Sequence, residues 1–435
     1  MLFMPGRLNA FQQSMLGWND LHPYNAVHVV RIPESPEVER LKTVICRILE
    51  EKGLTGLRLD RNAGTYEYCG GAPAQDIRTL SVEPGGFAGL GQEIERQLNT
   101  PFIQGERFSP FRFFIAPGLE SFSLGLVYFH PIADADCILG LLREIVETYW
   151  RRGNSGPVAP VDRHPARWGN HECLPVMAIA RKLANFPVSI RNLRKSCRPI
   201  YHDTGNLDNA FSFFSLNPEV LAAMVQFAKS LGVTLNDLFL ALLMKAIALL
   251  TPERTQDPRR KEISLGCIVN IRKDLGLQDR GVFGVFLGSF MVHHNVPVGV
   301  KLADVARDLR QQTLRIKQGR LYVGAAIELA IGRFMANLCS KTGRKTFYQK
   351  NYPLWGGLSN IDLNPIWPQA EEARPIDYFR AVSTGPVTPL VVSITTVARV
   401  VNIGLTYRST VFSAAEIECI KRCFMEPADL LADNL

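Results

Sequence analysis

FSLGLVYFHPIADADCILGLLREIVETYW, running from Phe122 to Trp150, is the stretch that decides the fold. Apolar residues alternate from Phe122 to Tyr128, and a period of two in so apolar a segment predicts an interior β-strand. From Ile138 onward, apolar residues recur every three or four positions, which is typical of an amphipathic helix. Pro131 has no N–H to donate and favours an extended backbone at His130, so the strand should end there.

The junction carries a histidine and an aspartate four positions apart, His130 and Asp134. On a loop, this spacing brings an imidazole and a carboxylate within reach, and histidine is the side chain best suited to proton transfer near neutral pH. The plainer interpretation is that His130 ends a strand and that Asp134 or Asp136 caps the next helix. The spacing alone leaves both interpretations open.

The junction also resembles a known signature. It reads Phe129-His130-Pro131-Ile132-Ala133-Asp134-Ala135 and is similar to the His-His-x-x-x-Asp-Gly motif of the condensation-domain and CoA-dependent acyltransferase superfamily. That superfamily includes chloramphenicol acetyltransferase, peptide-synthetase condensation domains, polyketide-associated acyltransferases and wax-ester synthases. Phe129 replaces the first histidine and Ala135 replaces the glycine. The second histidine, which is catalytic in the family, is present as His130.

Other stretches resemble the same relatives in family order along nearly the whole chain. They include a Gln-containing helix, a Leu-Arg strand, a Thr-x-Asn-Asp stretch, a Val-Asn-x-Arg strand, a Phe-Gly-Asn segment that has lost its Asn, and a Ser-Asn strand. These are, in order, Gln12–Leu16, Leu57–Arg58, Val233–Leu238, Val269–Arg272, Gly284–Gly288 and Leu358–Ile361.

The resemblance implies an α/β fold with mixed sheets. Its expected architecture is two chloramphenicol-acetyltransferase-like lobes in a V, with a tunnel between them and His130 near the middle. Periodicity fades between Arg151 and Asn206, where prolines and basic residues are frequent. We therefore expect an N-terminal lobe at 1–175, an interlobe connection at 176–206 and a C-terminal lobe at 207–435.

The resemblance also assigns site residues. It implies that His130 is the general base and that Asp134 supports its loop by pairing with Arg272. Ser359 or Asn360, with backbone N–H groups after His130, would contact the oxyanion or the acceptor. The plain interpretation of Thr234 and Asp237 is a capping box, and the family pattern makes Asn236 and Asp237 structural residues near the site.

The charge and composition of the chain limit the classes of partner that we expect. The net charge is +8 and the isoelectric point is near 9.0, which suits a phosphate-bearing partner such as acyl-CoA or an acyl carrier protein. No nucleic-acid-binding motif accompanies the basic clusters, so we expect no nucleic-acid partner. His293 and His294 are adjacent on a predicted strand and should point to opposite faces, and the nine cysteines lack ligand spacing, so we expect no metal site.

The remaining expectations concern location and assembly. The longest apolar stretches, Leu238–Leu250 and Val282–Val292, are too short to span a bilayer, and residues 1–13 do not have the pattern of a secretory signal. We therefore expect a cytoplasmic protein with no transmembrane segment, and a monomer.

The resemblance implies an acyltransferase of the kind used in secondary metabolism. It would move an acyl group from a CoA or phosphopantetheine thioester to a small-molecule hydroxyl or amine, with no permanently bound cofactor. Two alternatives stay open at this stage. One is a catalytically inactive binding or scaffold protein, which the changes at Phe129 and Ala135 favour. The other is a different reaction in the same fold, such as epimerisation or cyclisation.

Overall fold

The computed structural model describes residues 6–71, 77–81, 88–118, 120–151, 158, 160–163, 176–277, 282–367 and 377–427. The chain divides into two compact units. The first contains Met1–Cys173, Ile271–Leu287 and Asp362–Ser383, and the second contains Leu174–Asn270, Gly288–Ile361 and Thr384–Leu435. The sequence predicted three consecutive segments, 1–175, 176–206 and 207–435. In the structure, two later segments instead join the first unit, because tertiary contacts that sequence periodicity does not reveal hold them there.

The helices alternate with short and long strands along the chain. The helices are α1 Ala10–Asn19, α2 Val38–Glu51, α3 Ala88–Asn99, α4 Ala135–Trp150, α5 Val176–Lys195, α6 Pro218–Leu231, α7 Leu235–Leu250, α8 Leu302–Gln318, α9 Ala325–Asn337, α10 Lys341–Asn351 and α11 Ala414–Met425. The strands are β1 Gly6–Arg7, β2 Asn25–Ile32, β3 Leu57–Asp60, β4 Thr65–Tyr68, β5 Ile77–Thr79, β6 Phe111–Pro117, β7 Phe122–Phe129, β8 Asp162–Arg163, β9 Ala210–Leu216, β10 Ile263–Asn270, β11 Val282–Phe283, β12 Leu287–His294, β13 Gly356–Asp362, β14 Asp377–Val382, β15 Leu390–Val397 and β16 Val400–Tyr407. The predicted mixed α/β class is confirmed.

The main sheet of the first unit has the strand order β14-β2-β7-β6-β5. Its neighbours are antiparallel except β5 and β6, which are parallel. β6 and β7 pair antiparallel as a hairpin, with Phe111 opposite Tyr128. Every residue of β7 is buried, as its apolar alternation requires. Gly125 lies in this strand because a Cβ there would stand 2.1 Å from the Phe114 ring.

The sheet of the second unit has the order β12-β10-β13-β15-β16-β9. β10 and β13 are parallel, whereas β9, β16 and β15 pair antiparallel. Asn217 caps α6, and Pro218 lies in its first turn. Most of α7 is buried. In the part of the chain that the structure describes, no helix taken alone is long and apolar enough to cross a membrane, and only α6 and α7 together, bent by 103°, meet that requirement.

Three predicted boundaries differ from the structure. The strand expected to end at Arg272 ends at Asn270, and Arg272 lies in a turn of the first unit. The predicted interlobe connection at 176–206 contains the long helix α5, Val176–Lys195, which continues past Pro187. β14 was not expected, because a charged residue at position 380 interrupts its apolar run.

Candidate active site around His130

A change of backbone geometry between β7 and α4 positions the histidine. β7 ends at Phe129, and a single 3₁₀ turn covers His130–Ile132. Ala133 returns to an extended conformation, and Asp134 caps α4 by accepting a hydrogen bond from the backbone N–H of Cys137. The strand end expected before Pro131 is therefore confirmed, whereas His130 lies in a 3₁₀ turn and not in the extended conformation that was expected.

The imidazole of His130 is held on three sides. Its Nδ1 lies 3.1 Å from the carbonyl oxygen of Ala133. The ring of Tyr24 stacks on it, with centroids 5.3 Å apart and planes 17° apart, and the ring of Tyr128 meets it edge-on at 5.4 Å. The His130 backbone N–H donates to the carbonyl of Tyr24. The ring orientation is therefore fixed before any substrate binds.

The surroundings of His130 keep its ring neutral. Burial lowers its pKa to about 4, against the opposing effects of the Ala133 carbonyl and the Asp134 carboxylate. A neutral imidazole carries one N–H, and the Ala133 carbonyl is an acceptor, so that hydrogen belongs on Nδ1. Nε2 then carries the lone pair. The residue is 7% exposed, so it is buried without being completely sealed.

Asp134 makes the ion pair with Arg272 that the sequence predicted. One terminal nitrogen of the guanidinium, Nη2, lies 3.0 Å from Oδ1 and 2.9 Å from Oδ2. Oδ1 also accepts from the Cys137 N–H, and Oδ2 accepts from the Phe286 N–H at 3.0 Å. Asp134 is thus a helix cap and an ion-pair partner at once, and both interpretations of it are confirmed. Both residues are almost fully buried.

Arg272 has further contacts within the first unit. Its Nη1 donates to the carbonyl of Val282 at 2.7 Å, and Nη2 lies 2.9 Å from the Cys137 sulfur. The guanidinium carbon stands 4.3 Å from the centre of the Phe286 ring, which is within cation–π range. Burial opposes the charge, but Asp134, Cys137 and Asp136 together outweigh it and raise the pKa of Arg272. The ion pair therefore ties the start of α4 to the 272–286 segment.

The two departures from the family signature have simple packing roles. Phe129 is completely buried and meets the rings of Phe102 and Phe108 edge-on at 6.0 and 5.6 Å. Ala135 is the first residue of α4, and its backbone does not adopt a positive φ, so this position does not require glycine. Neither change disturbs the contacts of His130 or Asp134 described above.

A second buried histidine, which the sequence did not single out, lies in the sheet beside the site. His28 on β2 meets Tyr128 edge-on at 5.6 Å, and its Nδ1 lies 2.7 Å from the Tyr378 hydroxyl on β14. Arg380, opposite His28 in the strand register, is also buried, and burial lowers its pKa to about 10. Burial, Arg380 and His130 lower the pKa of His28 well below its usual value. The signal in the sequence that could have identified His28 was a histidine within a mostly apolar strand.

The other predicted site residues lie in the second unit. Ser359 and Asn360 are on β13, where Asn360 is exposed. Asn236 and Asp237 open α7, and Thr234 and Asp237 form the predicted capping box. Asp237 is buried and also accepts a hydrogen bond from the Thr313 hydroxyl at 2.8 Å. The contact of Ser359 or Asn360 with substrate stays a prediction.

The adjacent histidines of β12 have different partners. His293 Nδ1 lies 2.7 Å from the Ser264 hydroxyl, whereas His294 Nε2 lies 3.3 Å from Asp308. Among the described residues, no group of three or more His, Cys, Asp or Glu side chains is arranged to hold a metal ion.

Comparison with known proteins supplies the fold. No family model and no curated protein matches the chain. Among solved structures, the first condensation domain of the calcium-dependent antibiotic synthetase, bound to a substrate analogue, aligns with a TM-score of 0.72 at 15% identity, over 99% of this chain and 98% of that one. The SgcC5 protein from Streptomyces globisporus aligns at 0.65 and 16%, over 98% and 97%. The epimerization domain from the third module of tyrocidine synthetase B aligns at 0.62 and 11%, over 99% and 96%. The chain therefore has the same fold as these solved condensation and epimerization domains.

Proposed function

We propose that the protein is an acyltransferase that moves an acyl group from a thioester to a hydroxyl or amine, with His130 as general base. Nε2 removes the acceptor proton as the acceptor oxygen or nitrogen bonds to the thioester carbonyl carbon. The C–S bond then breaks, and the departing thiolate takes the proton back from the imidazolium. Both substrates are consumed as bound, and no covalent enzyme intermediate is needed.

The observation that carries the proposal is the anchoring of the His130 ring. Nδ1 is held by the Ala133 carbonyl, which leaves the Nε2 lone pair available. A base that is already neutral at pH 7 and fixed in direction needs no reorganisation before proton transfer. The stacked ring of Tyr24 supports the same orientation.

The supporting residues have distinct proposed roles. The Asp134–Arg272 pair positions the loop that carries His130 and does not touch the substrate. Backbone N–H groups after His130, with the Ser359 or Asn360 side chain, donate to the oxyanion of the tetrahedral intermediate or contact the acceptor. Asn236 and Asp237 maintain the start of α7 and take no part in the chemistry.

The donor and acceptor are proposed by class. The net charge of +8 suits a donor that carries phosphate, either acyl-CoA or a phosphopantetheine arm on a carrier protein. The structure of the SgcC5 protein was determined with (R)-(-)-1-(2-naphthyl)-1,2-ethanediol, which supports a small hydroxyl compound as acceptor here. No resident cofactor or metal is required for this reaction.

A second candidate is a catalytically inactive binding protein. Burial lowers the pKa of His130 to about 4, and a base this weak has less driving force for removing a proton. The loss of the first motif histidine to the core residue Phe129 favours the same interpretation. Epimerisation is less well supported, because it needs a second acid–base residue that no observation identifies.

The test is turnover by the purified full chain. A panel of acyl-CoA and acyl-carrier donors is mixed with candidate alcohols and amines, and products are identified by intact mass. On any productive pair, His130→Ala should lower kcat at least ~100-fold, because a general base contributes roughly 10²–10⁴. His202→Ala removes an exposed histidine of the second unit and serves as the matched control.

Two outcomes would overturn the proposal. Wild-type turnover by a folded His130→Ala protein would remove His130 from the mechanism. Tight donor binding without turnover across the panel, measured by calorimetry, would favour the inactive binding protein.

A further inference from the structure

An apolar stripe lies exposed along α9. Ile331, Phe334, Met335 and Leu338 are 38%, 65%, 49% and 74% exposed. Their spacing of three, four and seven positions puts them on one face of the helix. The residues that α9 buries lie on its other side and are Ala325, Gly332 and Ala336. A helix that is apolar on both sides is normally covered on both, so the exposed face calls for a partner.

α5 lies beside α9 and carries exposed apolar side chains of its own. Lys182 on α5 and Glu328 on α9 form an ion pair at 3.0 Å, and a Cβ at Gly324 would stand 2.7 Å from the Lys182 side chain. Exposed apolar residues follow on α5. We define the α5–α9 surface as Leu183, Val188, Ile190, Ile331, Phe334, Met335 and Leu338.

The two segments that carry this surface are strongly basic. Residues 176–198 contain six Lys and Arg and no acidic residue, and residues 325–351 contain five Lys and Arg and one acidic residue, Glu328. The two segments together hold a net charge of +10, which exceeds the +8 of the whole chain. Glu328 is already paired with Lys182. The basic character of the protein is therefore concentrated in the two segments that expose apolar side chains.

We propose that the α5–α9 surface binds the protein to anionic lipid membranes. Helices that lie in a membrane interface combine large apolar side chains with Lys and Arg, because the apolar side chains enter the acyl boundary while the cations meet lipid phosphates. An anionic bilayer presents negatively charged headgroups and an apolar acyl region together over a large continuous surface. It therefore requires no shape match, and it suits an exposed apolar surface that is accompanied by two helices, α5 and α10, whose charged residues are all basic.

The test uses the full chain and sedimentation with lipid vesicles. Wild-type protein should sediment with phosphatidylcholine vesicles that contain about one third phosphatidylserine, much less with phosphatidylcholine alone, and less as salt rises. Phe334→Ser with Leu338→Ser should weaken binding about tenfold or more. Ile103→Ser with Val298→Ser is the matched control, because it removes two apolar side chains that are 87% and 94% exposed elsewhere.

A set of variants that remove positive charges tests the contribution of the basic residues to vesicle binding. Arg191→Gln, Arg194→Gln and Lys350→Gln together should weaken binding to the anionic vesicles about tenfold or more. Lys229→Gln, Lys301→Gln and Arg399→Gln together remove the same charge from exposed positions outside the two segments and should have a much smaller effect.

Several results would overturn the proposal. These are absence of vesicle binding, equal losses in the test and control variants, and a wild-type dimer that Phe334→Ser with Leu338→Ser converts to monomer, which would assign the surface to a second copy. Binding of a purified acidic carrier protein through this surface, without vesicle binding, would assign it to a protein partner.

Discussion

At the scale of single residues, Asp134 has the most demanding environment in the candidate site. Its two oxygens accept from two backbone N–H groups and from the Arg272 guanidinium. Asparagine caps helices as well as aspartate does, but it has one acceptor oxygen and an NH2 group. That NH2 group would face a donor whichever way the amide is turned. The site therefore requires a carboxylate and not merely a cap.

Asp134→Asn should destabilise the protein by about 3–5 kcal/mol, because it leaves the buried Arg272 charge uncompensated. Arg272→Ala should cost a similar amount, and the double variant should cost clearly less than the two losses added together. Urea unfolding of the three variants measures this coupling. Strictly additive losses would mean that the ion pair does not act as a unit.

The lowered pKa of His130 makes stability depend on pH in one direction. The native ring has a pKa of about 4, whereas an unfolded histidine has one near 6.5, so between these values only the unfolded chain takes up the proton. The stability that this difference gives is complete above pH 6.5 and is lost as the pH falls toward 4.

His130→Gln should therefore lose less stability on acidification than the wild type. The expected difference in slope is about 1 kcal/mol per pH unit between about pH 6 and 4.5. Burial also lowers the pKa of His293 to about 4, so His293→Gln should show the same relief. Parallel unfolding curves for wild type and His130→Gln over this range would mean that the ring is not buried neutral.

At the scale of elements, local signals in the sequence predicted starts and ends well. The predicted Thr234–Asp237 capping box is confirmed, and the structure also contains the caps that Asn217 before Pro218 and the Ser413–Glu416 pair form from a few neighbouring residues. By contrast, the formation of β14 depends on contacts with segments that are distant in the sequence, such as its pairing with β2. Burial lowers the pKa of its Arg380 to about 10, and this effect is opposed by Tyr378 on the same strand and by Tyr128 and Asp136 from other elements. Because a charged residue interrupts its apolar residues, the sequence of β14 does not have the pattern of a buried strand.

The capping box of α7 gives a test of the structural role assigned to Asp237. Thr234→Ala should destabilise the protein by about 1 kcal/mol. Asp237→Ala should cost about 2–3 kcal/mol, because it also removes one acceptor of the Thr313 hydroxyl and the carboxylate that lies 3.7 Å from Arg310. Ser413→Ala, in the capping box of α11, is the control. All three should keep full turnover. A loss of kcat in Asp237→Ala at unchanged stability would instead bring this residue into the chemistry.

At the scale of the whole molecule, sequence resemblance predicted the fold and the His130–Asp134 junction, whereas the grouping of segments into units required the structure. Arg272 was identified as a partner of Asp134 only through the family pattern, since the two lie 138 positions apart. His28 and Arg380 had no such pattern to identify them. Hydrophobic periodicity indicates whether a segment forms a helix or a strand, but it does not indicate which distant segments of the chain pack against it.

Donor binding should depend on salt if basic residues hold a phosphate group. The affinity for a confirmed acyl-CoA or acyl-carrier donor should fall several-fold between about 0.05 and 0.5 M NaCl, because screening shortens the range of charge interactions. Calorimetry with a non-hydrolysable donor analogue measures this change. An affinity that is indifferent to ionic strength would assign donor recognition to apolar contacts.

The division of the first unit among three segments has a consequence for biosynthesis. The edge strand β14, which covers β2, is translated after most of the second unit. Arg272, the partner of Asp134, is translated after the first segment of that unit, Leu174–Asn270. A nascent chain that has emerged only to residue 175 would display an open strand edge and an unpaired carboxylate. Such edges recruit other chains. The first unit therefore completes late, and ribosomal pausing or truncation before Val382 exposes the cell to an aggregation-prone intermediate.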